Sequence, residues 1–329
     1  MSLKKVVECV KRNKRFLITT HTSPEGDALG AELAFYMFLK KMGKSALIIN
    51  DDSVPATYAF LPHLKNIWQL NHKLKKNKFD CFVILDCSDL ARCGGVSKFS
   101  KDIKTSINID HHISNDKFAT INWVEPGASS ASEMVYKLYK KMHLPLDKDI
   151  AMCLYVGMLT DTGSFRYPNT TALTHKTVSE LLKFNLNSAK IYKNIYESVP
   201  FQDLQLLSKI LPNLKVQFNG KVAWVQIRQD LLKGKKISLD LSEHILSFAR
   251  AIKDVEAVVL FKENLKGKNE IRVNLRSQGK IDVNKIASFF GGGGHKTASG
   301  CTVGGRIEDV TRKVLKKIRE SFNEGYMRS

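Results

Sequence analysis

Short, almost purely apolar segments recur through the first half of this sequence, and segments with a helical spacing of apolar residues separate them. The apolar segments cover residues 16–20, 46–49, 81–85 and 107–109, and the helical patterns cover 28–41 and 132–142. Near-continuous apolar strands separated by helices are typical of a parallel sheet that is covered on both faces. The sequence therefore predicts an α/β fold whose N-terminal domain is doubly wound around a mainly parallel sheet.

The second half of the sequence has a different organisation. Helical patterns continue over residues 150–198, and the segment 199–212 carries a proline near each end, which favours a connector between domains. Beyond it lie a hairpin pattern around Asn219-Gly220, strand patterns at 255–261 and 271–277, and an amphipathic helical pattern over 307–322. We predict a first domain at 1–198, a connector at 199–212 and a smaller α+β domain at 213–329.

The charge balance indicates the kind of ligand. The chain has 52 Lys and Arg against 32 Asp and Glu, a formal net charge of +20. Such a surface attracts polyanions, which favours a phosphate-rich ligand, although a generally lysine-rich proteome would give the same excess. Three tryptophans, Trp68, Trp123 and Trp224, lack neighbouring basic-aromatic patterns and are predicted to pack in cores.

Targeting and redox patterns indicate the compartment. No apolar stretch approaches the roughly 18 residues that a membrane span needs, and no secretory signal pattern is present. The six cysteines form no C-x-x-C pair, which favours buried free thiols. We therefore expect a cytoplasmic protein that has no membrane partner.

Polar residues with metal-binding side chains follow the predicted strands. They are His21, Glu25 and Asp27 after the first strand, Asp86 after the third, the triplet Asp110-His111-His112 after the fourth, and Asp161 after a helical stretch. Each alone has an ordinary structural alternative, such as a helix cap or a buried histidine. The carboxyl ends of parallel strands, however, meet at one edge of a sheet, where ligands bind.

Several carboxylates at one sheet edge would repel one another unless cations neutralised them. Two divalent ions would balance the four negative charges of Glu25, Asp27, Asp86 and Asp161. Mixed imidazole and carboxylate ligands favour Mn²⁺, with Mg²⁺, Zn²⁺, Co²⁺ or iron as alternatives. Paired metals are typical of phosphoryl hydrolysis, so the sequence predicts a two-metal phosphoesterase.

A glycine-rich segment in the second domain is a further candidate site. It consists of Gly291, Gly292, Gly293 and Gly294, followed by His295 and Lys296. Glycines allow backbone N–H groups to close on an anion, and the imidazole and ammonium groups add charged donors; a tight turn is the alternative. Arg276, at the end of a predicted strand, could bind a phosphate through its guanidinium group.

Taken together, these motifs resemble those of the DHH phosphoesterase superfamily and its DHH-associated C-terminal domain, over nearly the whole chain. The size, His21 and the glycine-rich segment are most similar to the members that degrade very short RNA (nano-RNases) and dephosphorylate 3′-phosphoadenosine 5′-phosphate (pAp). One departure is Glu25, where the family usually has Asp, and its extra methylene group should still allow metal binding.

The resemblance implies a role for each candidate residue. One metal would be held by His21, Glu25 and Asp86, and the other by Asp27, Asp86, His111 and Asp161, with Asp86 bridging the two. The catalytic residues would be Asp86 and His112, the latter facing the scissile phosphate or the leaving oxygen. Substrate phosphate would be contacted by Arg276, His295 and the glycines Gly292, Gly293 and Gly294.

The function that the resemblance implies is an Mn²⁺-dependent 3′–5′ exonuclease. It would hydrolyse very short RNA oligonucleotides to mononucleotides and pAp to AMP, with a homodimer as one compatible assembly. A cyclic-di-AMP or linear dinucleotide phosphodiesterase is the alternative that these motifs do not separate from it. A non-catalytic nucleic-acid-binding protein is an alternative of another class, suggested by the net charge and by Glu25.

Overall fold

The computed structural model describes residues 2–70, 79–232, 241–263, 269–294 and 296–326. The chain divides into two compact units, Met1–Ser198 and Val199–Ser329. The described residues of each unit form one six-stranded sheet. The sequence prediction of an α/β first domain followed by a second domain with its own sheet is confirmed.

Helices and short parallel strands alternate in the first unit. Its strands are β1 (Arg15–Thr19), β2 (Ser45–Asn50), β3 (Ile67–Gln69), β4 (Cys81–Leu85), β5 (Ser106–Asp110) and β6 (Ile121–Val124). Its α-helices are α1 (Ser2–Arg12), α2 (Gly26–Lys41), α3 (Ala131–Lys141), α4 (Lys148–Asp161), α5 (Ala172–Leu182) and α6 (Ser188–Tyr196). Among its described residues, three segments are 3₁₀-helical: Ala56–Tyr58, Leu64–Asn66 and Ala91–Lys101.

The sheet of the first unit is doubly wound. Its strand order is β3-β2-β1-β4-β5-β6, and every neighbouring pair is parallel. The chain winds toward one edge after β1 and toward the other after β4. The carboxyl ends of β1 and β4 therefore flank the topological switch point, where sheets of this kind bind their ligands.

Alternate strand residues face two apolar layers in this unit. Phe16, Ile18 and Val83 pack with the α-helices in the larger layer. Leu17 and Phe82 pack in the smaller layer with residues of the 3₁₀ segment Ala91–Lys101. The sheet is thus covered on both faces, as predicted, although the second cover is a 3₁₀ segment rather than a row of α-helices.

Glycines bring α2 and α4 into contact through their backbones. A Cβ atom at Gly30 would overlap the carbonyl of Cys153, and one at Gly157 would lie 2.6 Å from Oδ1 of Asp27. Because the smallest residue stands at these contacts, the two helices approach more closely than larger side chains allow. This approach places Asp27, near the start of α2, beside the C-terminal half of α4.

The second unit is a mixed sheet between two layers of helices. Its strands are β7 (Lys215–Gln217), β8 (Val222–Ile227), β9 (Ala257–Glu263), β10 (Glu270–Ser277), β11 (Gly293–Gly294) and β12 (Ala298–Gly304). Its helices are α7 (Phe201–Ile210), α8 (Gln229–Leu232), α9 (Ser242–Arg250), α10 (Val283–Phe289) and α11 (Ile307–Tyr326), with a 3₁₀ turn at Leu211–Asn213. The order is β11-β12-β10-β9-β8-β7, with β8 and β9 parallel and the other pairs antiparallel.

The segment 199–212, for which the sequence predicts a connector, forms α7 and belongs to the second unit. Its Leu206, Leu207 and Ile210 are buried in the core that α9 shares with one face of the sheet. These apolar side chains anchor the segment, so it packs as a structural helix.

Several smaller predictions can be checked against the structure. All six cysteines are buried free thiols, as predicted. Trp123 and Trp224 are buried, as predicted. The prediction for Trp68 is wrong: this residue lies on the short edge strand β3 and is 51% exposed. Among the helices that the structure describes, none is long and apolar enough to cross a membrane.

Candidate metal centre

Three strands and two helices deliver the predicted metal ligands to one edge of the first sheet. His21 follows β1, Asp86 comes directly after β4, and His111 follows β5. Asp27 is the second residue of α2, and Asp161 is the last residue of α4. The sequence predicts this meeting point because parallel strands end at a common edge, and the close packing of α2 and α4 adds the helical carboxylates.

The imidazole of His111 lies at the centre of this group. Its Nε2 is 3.4 Å from Oδ2 of Asp161, 3.5 Å from Oδ1 of Asp86 and 3.8 Å from Oδ2 of Asp27. On the other side of Asp86, Oδ2 is 3.6 Å from Nε2 of His21. Asp86 therefore lies between two imidazoles, which is the position that a bridging ligand requires.

Backbone carbonyls orient both imidazoles toward the carboxylates. Nδ1 of His21 lies 2.7 Å from the carbonyl oxygen of Thr22, and Nδ1 of His111 lies 3.2 Å from that of Ala128. A carbonyl oxygen only accepts hydrogen bonds, so each Nδ1 carries the proton. Each Nε2 then points toward the carboxylates, and once deprotonated it would offer a lone pair to a metal ion, as is usual for a metal-binding histidine.

The N-terminus of α3 holds the carboxylate of Asp27. The backbone N–H of Ala131 donates to Oδ2 at 2.6 Å, and that of Ser132 donates to Oδ1 at 2.9 Å. These are first-turn donors that have no partner within the helix itself, and they favour a negative charge. Both oxygens of Asp27 are thereby fixed in place.

Burial and mutual repulsion shift the pKa values of the clustered carboxyl groups. Burial, assisted by the charge of Asp86, raises the pKa of Asp27 to about 6. Burial also raises the pKa of Asp161 well above its usual value, with further contributions from Asp27, Asp86 and Glu25. In the protein alone, protons compensate part of the negative charge. A bound cation would displace them.

The opposite shifts occur around Asp86. Burial would raise the pKa of Asp86, but the nearby imidazoles of His111 and His21 hold it well below its usual value. Burial would lower the pKa of His111, but the charges of Asp161 and Asp86 raise it well above the usual value. Asp86 therefore stays ionised between the two imidazoles.

An orphaned oxygen and a strained backbone at Asp86 fit a cation site. Its Oδ1 is buried and accepts no hydrogen bond from any residue that the structure describes. Its φ is 52°, in the left-handed region that costs a non-glycine residue about 1 kcal/mol or more. Such strain is typical of functional positions, and a cation would satisfy the orphaned oxygen.

Among the residues that the structure describes, two overlapping groups could hold metal ions. Asp27, His111 and Asp161 form one, and Asp86, His111 and His112 form the other; within each group the ligand atoms lie within 4.8 Å of one another. His21 adjoins the second group through Asp86. The described residues thus include a donor set of carboxylates and imidazoles, which suits a divalent first-row metal.

His112 has a partner that the sequence analysis missed. Its Nδ1 is 2.7 Å from Oδ1 of Asp110, and Asn115 donates to Oδ2 of the same carboxylate at 2.6 Å. Burial would raise the pKa of Asp110, but the charge of His112 lowers it to about 2. Asp110 is therefore ionised and fixes the orientation of the His112 ring, so chemistry on a ligand has to use Nε2.

Glu25 occupies a different environment from the other predicted ligands. It is exposed and precedes α2 as its N-cap residue. Its charge contributes to the raised pKa of Asp161, but neither of the two groups found among the described residues includes it. Its role as a ligand stays a prediction.

The predicted phosphate-binding residues of the second unit lie around β10 to β12. Arg276 lies near the C-terminal end of β10. Its guanidinium group binds the carboxylate of Glu243 and donates to the carbonyl of Leu275 at 3.1 Å. Gly293 and Gly294 form β11, paired with β12, and Gly292 precedes them. His295 lies outside the described residues.

Family models match both units. The model of the DHH family, N-terminal domain, matches residues 15–158, and that of the DHHA1 domain matches residues 219–324. The chain is similar to the bifunctional oligoribonuclease and PAP phosphatase NrnA of Thermus thermophilus, with 30% identity over 312 residues, 94% of this chain and 91% of that protein. It is also 30% identical to the probable enzyme of the same name from Streptococcus mutans, over 91% of this chain and 93% of that protein.

A solved structure supports the assignment. The crystal structure of an exopolyphosphatase-related protein from Bacteroides fragilis superposes with a TM-score of 0.85 and 29% identity, covering 98% of this chain and 96% of that one. This structural similarity covers both units. The sequence relatives and the two family models together also cover both. The chain therefore belongs to the DHH family and carries a DHHA1 domain after its DHH domain.

Proposed function

We propose that this protein is a metal-dependent phosphoesterase that hydrolyses very short RNA oligonucleotides to mononucleotides, from the 3′ end, and pAp to AMP. The observation that carries the proposal is the buried group in which His111 Nε2 lies within 3.8 Å of the carboxylates of Asp27, Asp86 and Asp161. The substrates follow from the relatives, whose names specify oligoribonuclease and PAP phosphatase activity.

The centre would take two divalent ions, with Mn²⁺ as the preferred metal. His21, Glu25 and Asp86 would hold one, and Asp27, His111 and Asp161 would hold the other together with Asp86. Divalent ions at such a centre activate water and neutralise the charge that develops on phosphoryl oxygens. The orphaned oxygen of Asp86 and the carbonyl-bound Nδ1 atoms of the two histidines support this assignment.

His112 is the residue that exchanges a proton with substrate. Asp110 holds its Nδ1 at 2.7 Å, which fixes the ring and leaves Nε2 as the atom that delivers a proton to the leaving oxygen. The ionised carboxylate of Asp110 also stabilises the positive charge of the doubly protonated ring. Helix N–H donors fix the carboxylate of Asp27, so little reorganisation of that group accompanies the reaction.

The second unit binds a further phosphate of the substrate through Arg276, His295 and the glycines Gly292–Gly294. The ion pair with Glu243 supports this role, because it holds the Arg276 guanidinium group in one orientation. An anionic ligand could then replace the Glu243 carboxylate as its partner. Arg276→Ala is expected to slow hydrolysis of dinucleotides and pAp at least tenfold. It should leave bis-p-nitrophenyl phosphate, which lacks a second phosphate, nearly unaffected.

Arg312→Ala is the control, since Arg312 lies on α11 of the same unit with a side chain that is 80% exposed. It removes an equal charge and should leave all substrates unaffected. Equal losses on both substrate types in Arg276→Ala would show that Arg276 supports the fold or the catalytic centre instead.

Turnover of a substrate panel tests the function itself. The full-length protein with Mn²⁺ is incubated with RNA of two to five nucleotides labelled at the 5′ end, with pAp and with cyclic-di-AMP, and products are separated by chromatography. We expect mononucleotides from the short RNA and AMP from pAp. Preferential cleavage of cyclic-di-AMP would favour the alternative phosphodiesterase, and metal-independent RNA binding without any turnover would favour a binding protein. A cytoplasmic location and a homodimer accompany the proposal and are tested by fractionation and light scattering.

A further inference from the structure

Asn169 lies in the loop between α4 and α5, beside the carboxylate of Asp161. Its Nδ2 is 3.3 Å from Oδ2 of Asp161, 3.1 Å from the backbone carbonyl of Asp161 and 2.9 Å from the carbonyl of Ser129. None of the sequence motifs includes Asn169. One side-chain amide thus reaches both the end of α4 and the segment that leads into α3.

The chemistry of these partners determines the orientation of the amide. All three are oxygen atoms of carbonyl or carboxylate groups, which accept hydrogen bonds from N–H groups. If the amide were rotated, its oxygen would face three acceptors, and each contact would be repulsive. The NH₂ group of Asn169 therefore faces Asp161, and its Oδ1 accepts no hydrogen bond from the described residues.

Ser129 connects this amide to the second carboxylate of the same group. It stands just before the start of α3, where the N–H groups of Ala131 and Ser132 hold Asp27. The buried carboxylate of Glu133 fixes the segment from the other side, because its Oε2 accepts the Ser129 hydroxyl at 2.6 Å.

We propose that Asn169 is a positioning residue of the metal centre, which sets the Asp161 carboxylate and, through the Ser129 carbonyl, the helix end that holds Asp27. Asp27 and Asp161 belong to the same group around His111, so one amide controls the separation of two ligands on different helices. The inference rests on the proposed metal centre, but it holds whatever substrate the enzyme cleaves.

Mn²⁺ binding to full-length Asn169→Ala tests the proposal. Titration with Mn²⁺, followed by electron paramagnetic resonance of the free ion and by calorimetry, gives the affinity without any turnover. We expect Mn²⁺ affinity to fall roughly tenfold to a hundredfold, the usual effect of losing a residue that orients a metal ligand. With excess Mn²⁺, the rate of hydrolysis should recover, because the catalytic groups themselves are intact.

Two control variants separate positioning from loop stability. Thr170→Val changes the adjacent residue, whose buried hydroxyl makes no hydrogen bond to the described residues. Asn122→Ala removes another loop-closing amide, which donates to the carbonyls of Lys117 and Ala119 at 3.0 and 2.6 Å. Both are expected to bind Mn²⁺ like the wild type, even where their urea midpoints fall.

Ser129→Ala is a milder variant in case Asn169→Ala does not fold. It removes the hydrogen bond to Glu133 and keeps the backbone carbonyl, so Mn²⁺ affinity should fall by less than in Asn169→Ala. Wild-type Mn²⁺ affinity in both variants, or an equal loss in the two controls, would overturn the proposal. If the wild type binds Mn²⁺ but cleaves none of the panel, the proposed function fails while this inference stands.

Discussion

Glu32 is a fully buried carboxyl group on α2 that the catalytic chemistry does not use. Nδ2 of Asn50 donates to both of its carboxyl oxygens, at 2.9 and 3.1 Å. Burial raises the pKa of Glu32 from 4.5 to about 8, although the hydrogen bonds from Asn50 lower it. At neutral pH the folded protein therefore holds Glu32 mainly in its protonated form.

This shift makes folding stability depend on pH with a definite sign. Between pH 4.5 and 8 the folded state binds a proton that the unfolded chain has released, so the free energy of unfolding falls as the pH rises. With about 1.4 kcal/mol per pKa unit, the cost of burying Glu32 is about 3 kcal/mol at pH 7 and about 5 kcal/mol above pH 8. Below pH 4.5, Glu32 is protonated in both the folded and the unfolded state, so this cost is absent and the free energy of unfolding is at its full value.

Glu32→Gln tests this calculation, because it keeps the shape of the side chain and removes its titration. Urea unfolding of the full-length protein is measured from pH 5 to 9 with a chelator present, so that metal binding does not contribute. The free energy of unfolding of the variant, relative to the wild type, should increase by about 1.4 kcal/mol per pH unit and level off above pH 8.

Glu8→Gln on α1 is the control, since its side chain is exposed and its difference from the wild type should be flat over this range. A flat difference for Glu32→Gln as well would show that the folded protein accommodates the ionised carboxylate, and the argument from burial would be refuted.

Substitutions at three residues test the metal centre. Asp86→Asn should lower the hydrolysis rate by several orders of magnitude with an unchanged circular dichroism spectrum; more than about a tenth of wild-type turnover would contradict a bridging role. Glu25→Asp should retain activity, whereas Glu25→Gln should raise the Mn²⁺ concentration needed for half-maximal rate; negligible effects of both would place this residue outside the coordination sphere. Asp110→Asn should lower kcat roughly 10²-fold to 10⁴-fold with Mn²⁺ affinity unchanged, because His112 loses its orientation, and a parallel loss of Mn²⁺ binding would argue against that role.

The proximity of most of the candidate ligands could be predicted from the sequence, because its main signals are local. Asp86 and His111 each follow a strand whose apolar run is easy to recognise, and the strand-end rule then places them together. Asp27 and Asp161 lie on helices, and their meeting depends on the close contact of α2 with α4. The sequence analysis groups these two carboxylates by charge, but only the resemblance to the DHH family assigns them to one metal.

Other features depend on contacts that leave no periodic pattern in the sequence. The carboxylate of Asp110 is held by Asn115, and Asn169 reaches Ser129 across 40 residues. The short strands β3 and β6 have only three and four residues, too few to show a period. Pro200 is ambiguous: proline suits a linker, but its missing N–H also does no harm at the start of a helix, and here it is the N-cap residue of α7.

The glycine contacts between α2 and α4 also have a consequence for the choice of metal ion. With Gly30 and Gly157 at the contact, no flexible side chain separates the two helices, so the spacing of Asp27 and Asp161 has little elasticity. Ca²⁺ binds oxygen at 2.3–2.6 Å and Mg²⁺ at about 2.0–2.1 Å, so Ca²⁺ would push the two carboxylates apart by roughly half an ångström. Gly30 and Gly157 would contact no ion and lie about one helical turn from Asp27 and Asp161. They would still make the site discriminate against cations of larger radius.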